Sequence, residues 1–181
     1  EALSNVEEYF SNTNDLINSS FFLPYLSGER TPHNDPYIRG SFHSMKTTTN
    51  STNLQYAVIE GISFGILDGV NSILKVNNNF EKIFMVGGGS KSKFWIELLA
   101  SLLNRNLSVC DQSEFGAALG VARLAMHVDK NINSDVSIIK EIKISETFTP
   151  IDNKIDLLLK RYSIWKDLYY SNKEIAPSLL T

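Results

Sequence analysis

Parallel strands alternating with helices, an α/β arrangement, follow from three stretches of this sequence. The run Lys82 to Val86 is short and apolar, suits a strand, and delivers Gly87-Gly88-Gly89. Phe94, Trp95, Leu98, Leu99, Leu102 and Leu103 then recur at helical spacing, and Asn104 can close that helix. Leu107 to Cys110 makes a second strand, followed by a small-residue helix from Gly116 to Met126. Strand, helix, strand, helix in this order gives a core with parallel strands.

The other elements flank this unit. Residues 3 to 18 carry Val6, Tyr9, Phe10, Leu16 and Ile17 with an amphipathic pattern and read as a short helix. Phe21 to Leu26 is a compact strand ended by Ser27-Gly28. From Gly28 to Gly40, Pro32, Pro36 and two glycines stand among charged residues, the composition of an ordered loop. Loops of that length usually carry a function or lie flat on a surface. Ser41 to Met45 follows as a short strand. Between Thr52 and Val76, Leu54, Val58, Ile62, Ile66, Val70, Ile73 and Leu74 mark a long helix, capped by Asn50, Ser51 or Thr52. Gly61, Gly65 and Gly69 recur every fourth residue along it. Each costs about 1 kcal/mol relative to Ala, so close packing is expected to offset them. Asn77 to Asn79 makes a turn, and residues 129 to 147 read as a polar connector. Ile155, Leu158, Leu159, Tyr162, Trp165 and Leu168 mark a last amphipathic helix, over about 153–170, whose aromatic face should dock on the domain.

Composition narrows the function. A chain of 181 residues that is 43% hydrophobic can bury one core. The formal charge of −3, with dispersed Lys and Arg, offers no field for a phosphate backbone, so nucleic acid is not an expected partner. The single cysteine, Cys110, fits a reducing compartment, and the cytoplasm is the expected location. No uninterrupted apolar run approaches the roughly 18 residues that cross a bilayer, so a soluble protein without a membrane partner is expected. The chain starts without Met inside an amphipathic segment, which suggests a piece of a longer protein.

The glycine turn carries the chemistry. Glycine lacks a Cβ, so a flat or charged ligand can approach its main chain closely. The helix that follows offers unpaired N–H groups and partial positive charge, which favour phosphate. A nucleotide is the first ligand to consider, and an empty tight turn is the plain alternative. Gly87 and Gly89, with Asp111 ending the next strand, also fit part of a dinucleotide fingerprint, but Ser92 stands at the third glycine position. That argues against an oxidoreductase. No Gly-Lys-Ser/Thr follows at Walker spacing. Lys91 and Lys93 oppose the helix dipole unless a polyphosphate arrives, or simply point into water. Ser90 and Ser92 can cap the helix or bond a ribose. His33, His43 and His127 lack the neighbours of a metal site, and neither a serine nor Cys110 sits in a nucleophile elbow. Asp35, Asp68 and Asp111 have no neighbour in the sequence that marks a general base.

Taken together, Leu23-Pro24-Tyr25-Leu26-Ser27-Gly28-Glu29-Arg30-Thr31-Pro32-His33, Asp35-Pro36 and Arg39-Gly40 resemble the signature of the FGGY family of carbohydrate kinases, in the form closest to xylulokinases. Val86 to Ser92 with Phe94-Trp95, and Gly116-Ala117-Ala118-Leu119-Gly120, resemble that family's adenosine-binding elements in the same order. The likeness covers residues 20 to 127.

This resemblance implies an actin-like ATPase lobe of ribonuclease H-like type: a mixed sheet flanked by helices, incomplete at its N-terminal side. Residues 1–181 would form the C-terminal, ATP-binding lobe of a two-lobed sugar kinase. Gly87, Gly88 and Gly89 would lie against the adenosine and its first phosphate, with Ser90 and Ser92 at the ribose or adenine. Gly116 and Ala117 would close the other side of the base, and Thr48 would stand near the phosphates. The ligand would be ATP, accompanied by Mg²⁺. The intact enzyme would convert D-xylulose to D-xylulose 5-phosphate with a catalytic aspartate from an N-terminal lobe, so no catalytic residue is assigned here and the chain alone should be inactive. Its partners would be ATP, a ketopentose, the N-terminal lobe and, as a candidate, a second copy. Gluconate, ribulose and glycerol are the nearest alternative substrates, and Thr31-Pro32-His33 favours xylulose. A non-catalytic nucleotide-binding or assembly module is the reading from another class. Related sequences continue Phe-x-Gly-Leu where this one has Phe42-His43-Ser44-Met45, which puts Ser44 at the usual glycine.

Overall fold

The computed structural model describes residues 6–7, 20–76, 82–111, 113–129 and 143–179. Most of the helix expected over 3–18, the turn at 77–79 and most of the connector lie outside the described residues, although Val6 is buried in the main core.

Strand β1 (Phe21–Leu23) pairs antiparallel with β2 (Ser41–His43), Phe22 opposite Phe42. The first strand is shorter than its apolar run because Pro24 has no N–H for the ladder. Helix α1 (Ser51–Val76) opens on a reciprocal cap: Asn53 N–H donates to Asn50 Oδ1 at 2.9 Å, and Asn50 N–H to Asn53 Oδ1 at 3.0 Å. A second sheet runs β3 (Ile83–Met85), β4 (Leu107–Cys110), β5 (Ile144–Phe148), parallel in the first pair and antiparallel in the second. Helix α2 (Lys93–Leu103) makes the parallel crossover, and Asn104 ends it in the left-handed conformation, φ 48°. Helices α3 (Gly116–Asp129) and α4 (Asp152–Ile175) complete the fold. Four of the five residues of β5 fall inside the stretch read as a connector. Only Phe148 of its five residues is buried, so the segment looks polar in sequence.

Helix α1 turns a different face inward from the one its aliphatic stripe suggests. Tyr56, Ile59, Glu60, Gly61, Ser63, Phe64, Leu67 and Asp68 are buried, whereas Ile66 and Ile73 are exposed. The inward face carries two carboxylates, and both are bonded. Arg161 of α4 meets Glu60 with Nε and Nη2, each at 2.6 Å, while Tyr56 donates to Glu60 Oε1 at 2.9 Å. Asp68 accepts from Tyr162 and stands 3.1 Å from His33 Nε2. By length and composition α1 would also pass for a membrane span, contrary to the reading of the sequence, but here it is a core helix with paired charges.

The aromatic face of α4 docks as expected. Trp165 is fully buried against Tyr25, Phe64 and Tyr162, and its Nε1 donates to the Phe22 carbonyl at 2.8 Å. Behind α2, Ile96, Leu99, Ala100, Leu107 and Phe148 form a second cluster.

The three evenly spaced glycines of α1 meet different surroundings. A Cβ at Gly61 would collide with the Phe22 carbonyl, one at Gly65 would touch Pro24 at an ordinary 3.8 Å, and one at Gly69 would meet nothing within 4 Å. Gly69→Ala should therefore raise stability by about 0.5–1 kcal/mol. Gly61→Ala should lower it by about 1–3 kcal/mol through overpacking. Urea unfolding of the two variants reads both signs, and a stabilised Gly61→Ala would mean that α1 does not press on β1.

Candidate functional site

Both parallel strands end at one corner, the place where open α/β sheets present ligands. After β3 the chain enters Gly87 at φ 86°, ψ −171°, a conformation that side chains resist. The Gly87 carbonyl accepts Ser90 N–H at 3.1 Å and Ser90 Oγ at 2.7 Å, which winds Gly88–Lys91 into a single 3₁₀ turn. Gly87 N–H donates to the Ser113 carbonyl at 2.9 Å, and the Ser90 and Ser113 hydroxyls are 2.7 Å apart. Ser113 opens the 3₁₀ turn Ser113–Phe115 that leads from β4 into α3. A Cβ at Gly116 would sit 3.6 Å from Cβ of Val86, so the start of α3 abuts the end of β3.

Six of the residues singled out in the sequence thus stand close in the fold: Gly87, Gly88, Gly89 and Ser90 on the turn after β3, and Gly116 and Ala117 at the start of α3, behind the adjoining turn. Ser92 is buried as the cap of α2, its Oγ accepting from Trp95 N–H at 3.3 Å. Lys93 pairs with Glu146 of β5 at 2.9 Å in an exposed bridge, and Lys91 stands exposed at the end of the 3₁₀ turn. Thr48 lies exposed on a separate turn ahead of α1, where its neighbour Thr49 accepts from Lys46 N–H at 2.8 Å. Ser113 was not legible: nothing in the sequence distinguishes it from other serines, and only its meeting with Ser90 gives it a role.

The loop from Gly28 to Gly40 is clasped from both sides. Glu29 and Asp35 exchange backbone hydrogen bonds at 2.8 and 2.7 Å, and His33 N–H donates to Glu29 Oε2 at 2.7 Å. The His33 ring stacks on Tyr169 of α4 at 3.9 Å while its Nε2 reaches Asp68 of α1. Asp35 Oδ1 accepts from Tyr37 and Ile38 N–H at 3.0 and 3.1 Å, and Oδ2 accepts from Tyr169 at 3.2 Å. An open depression of about 510 Å³ lies over this loop, lined by Ser27, Gly28, Glu29, Arg30, Asn34 and Pro36. Asp35 and Asp68 each also accept from a tyrosine of α4, Tyr169 and Tyr162, partners far away in sequence.

Burial alone would raise the Asp35 carboxyl, but the Tyr37 and Ile38 N–H groups, then Tyr169 and Lys173, outweigh it and hold it below its ordinary value. Such a group stabilises the fold above its unfolded pKa of about 3.9, and the contribution is lost as pH falls through the folded value. Asp35→Asn should melt below the wild type near neutrality and lose less on acidification, so the two melting profiles converge below about pH 4. Parallel profiles would refute the assignment. Gly87→Ala should cost about 1–3 kcal/mol in urea unfolding through its backbone alone, because φ 86°, ψ −171° is a glycine conformation and a Cβ there meets open space.

Known proteins place this geometry. Residues 5–128 match the FGGY family of carbohydrate kinases, C-terminal domain. The chain is 35% identical to the xylulose kinase of Staphylococcus epidermidis over 167 residues, covering 91% of this chain and 33% of that protein. It thus spans about a third of the length of the curated relatives it matches, 33% for this one. A kinase structure from Brucella ovis, described as a xyloylose kinase, superposes with TM-score 0.74 at 30% identity, covering 94% of this chain and 37% of that one. A gluconate kinase structure from Lactobacillus acidophilus superposes with TM-score 0.76 at 25% identity, covering 98% of this chain and 35% of that one. The mixed sheet flanked by helices is the fold of these sugar kinases, and the chain belongs to the FGGY family of carbohydrate kinases.

Proposed function

We propose that this chain is the ATP-binding lobe of a two-lobed kinase that transfers the γ-phosphoryl group of ATP to D-xylulose, giving D-xylulose 5-phosphate and ADP. The observation that carries this reading is the corner itself: two adjoining turns at the C-terminal ends of β3 and β4, with open main chain at Gly87 and Gly88. Adenosine lies against Gly87, Gly88 and Gly89, the ribose or adenine meets Ser90 and Ser92, and Gly116 and Ala117 border the base. Thr48 contributes near the phosphates from its own turn. Mg²⁺ would arrive with the nucleotide and supply charge neutralisation at its phosphates. Among the described residues, no group of three or more His, Cys, Asp or Glu could hold a metal ion.

Phosphoryl transfer depends on positioning and on a base at the accepting hydroxyl. That base, an aspartate, and the sugar contacts belong to an N-terminal lobe. Two features support such a lobe: the relatives are about three times longer than this chain, which covers 33% of one, and α3 shows Val121 and Leu124 at 67% and 69% exposure. The enzyme works in the cytoplasm, where ATP is supplied. Gluconate is the second reading, since a gluconate kinase from Lactobacillus acidophilus matches as well as a xylulose kinase from the same organism.

A coupled ADP-release assay on the full-length protein tests the substrate. Turnover should be fastest with D-xylulose, and residues 1–181 alone should show none. Preference for gluconate would replace the substrate, and turnover by the chain alone would remove the need for a second lobe. Gly88→Ala should weaken ADP binding about tenfold, the effect of roughly 1.4 kcal/mol, because its Cβ enters space left for the ligand. Its melting temperature should not change, since that Cβ meets no protein atom within 4 Å.

A further inference from the structure

Gly87, Gly88 and Gly89 look equivalent in sequence, but the protein closes only the last of them. A Cβ at Gly89 would lie 2.8 Å from Cζ3 and 3.1 Å from Cε3 of Trp95, and 3.1 Å from Cε of Met85, whereas Gly87 and Gly88 have nothing within 4 Å. The indole fills the back of the turn, and it is held there. Its Nε1 donates to Ser63 Oγ of α1 at 2.9 Å, and Ser63 Oγ donates in turn to the Ile59 carbonyl at 2.7 Å. Trp95 N–H is fixed by Ser92 Oγ, and the side chain packs against both hydrophobic clusters. A rigid, flat group pinned at both ends therefore sets how far the turn can recede.

We propose that Trp95 is a positioning residue for the adenine nucleotide: pinned to α1 through Ser63, it backs Gly89 and so holds the main chain of Gly87 and Gly88 forward and open to the ligand. This rests on reading the corner as the nucleotide site. It divides the glycines by role, since Gly89 is small to admit the indole and Gly88 is small to admit the ligand.

The two roles separate in a double-mutant cycle on the full-length protein, read by ADP calorimetry, by the KM values for ATP and D-xylulose, and by melting temperature. Trp95→Phe removes Cζ3 and the Nε1 donor, and Ser63→Ala removes the acceptor on α1. Each should raise the ADP Kd about two- to tenfold, the range of one hydrogen bond, and raise KM for ATP with KM for D-xylulose unchanged. Gly89→Ala should weaken ADP and lower the melting temperature, and Gly89→Ala combined with Trp95→Phe should bind ADP better than Gly89→Ala alone. Additive losses, or an unchanged Kd in Ser63→Ala, would overturn the proposal while leaving the nucleotide site intact. A wild-type protein that binds no ADP would overturn the site and this proposal with it.

Discussion

The buried pair between Glu60 and Arg161 sets the rotation of α1, and most of the molecule follows from that rotation. Both side chains are almost fully enclosed, at 1% and 4% exposure, and the guanidinium also lies 4.2 Å above the Phe21 ring. Desolvation offsets much of the Coulomb attraction in such a pair, so its net stabilisation is modest. Leaving either charge alone would cost about 3–5 kcal/mol, which makes every other rotation of the helix unfavourable. With Glu60 inward, Gly61 meets the Phe22 carbonyl, Phe64 meets Trp165, and Asp68 meets Tyr162 and His33. The same rotation presents Ser63 to the Trp95 indole. One ion pair thus reaches the glycine corner through a helix and a single ring.

That pair also explains which parts of the fold were legible in sequence. Helix α2 and strand β4 carry local signals, a serine cap, a left-handed Asn104 and a compact apolar run, and their bounds came out within a residue. The face of α1 did not. Aliphatic periodicity points to Val58, Ile62 and Ile66, while the buried face holds Glu60 and Asp68, each with a partner about a hundred residues later on α4. A carboxylate reads as surface until its cation is found. Strand β5 escaped for a related reason: its residues gain their place by pairing with β4, so they keep a polar composition.

The site divides in the same way. Three glycines between a strand and a helix announce an open turn, because main-chain access and a positive φ are properties of the residue itself. The Ser90–Ser113 contact and the indole behind Gly89 are tertiary, and residue type alone does not reveal them. The family signature around Gly28 to Gly40 was the most distinctive motif, yet its side chains mainly clasp their own loop to α1 and α4. Its distinctiveness reflects the number of partners that Asp35 and His33 must satisfy together.

Ser44 shows how the fold imposes such a constraint on a residue that resists it. It stands where the family resemblance leads to the expectation of glycine, and its backbone takes a positive φ of 60°. A non-glycine residue there costs about 1–2 kcal/mol. The chain retains the turn in spite of that cost, so the geometry between β2 and α1 is dictated by what surrounds it. The reciprocal bonds of Asn50 and Asn53 fix the start of α1, and the β1–β2 register fixes the end of β2. Between two anchored ends the backbone has few paths. The turn carrying Thr48 is therefore held in place by the fold at a position that glycine would ease.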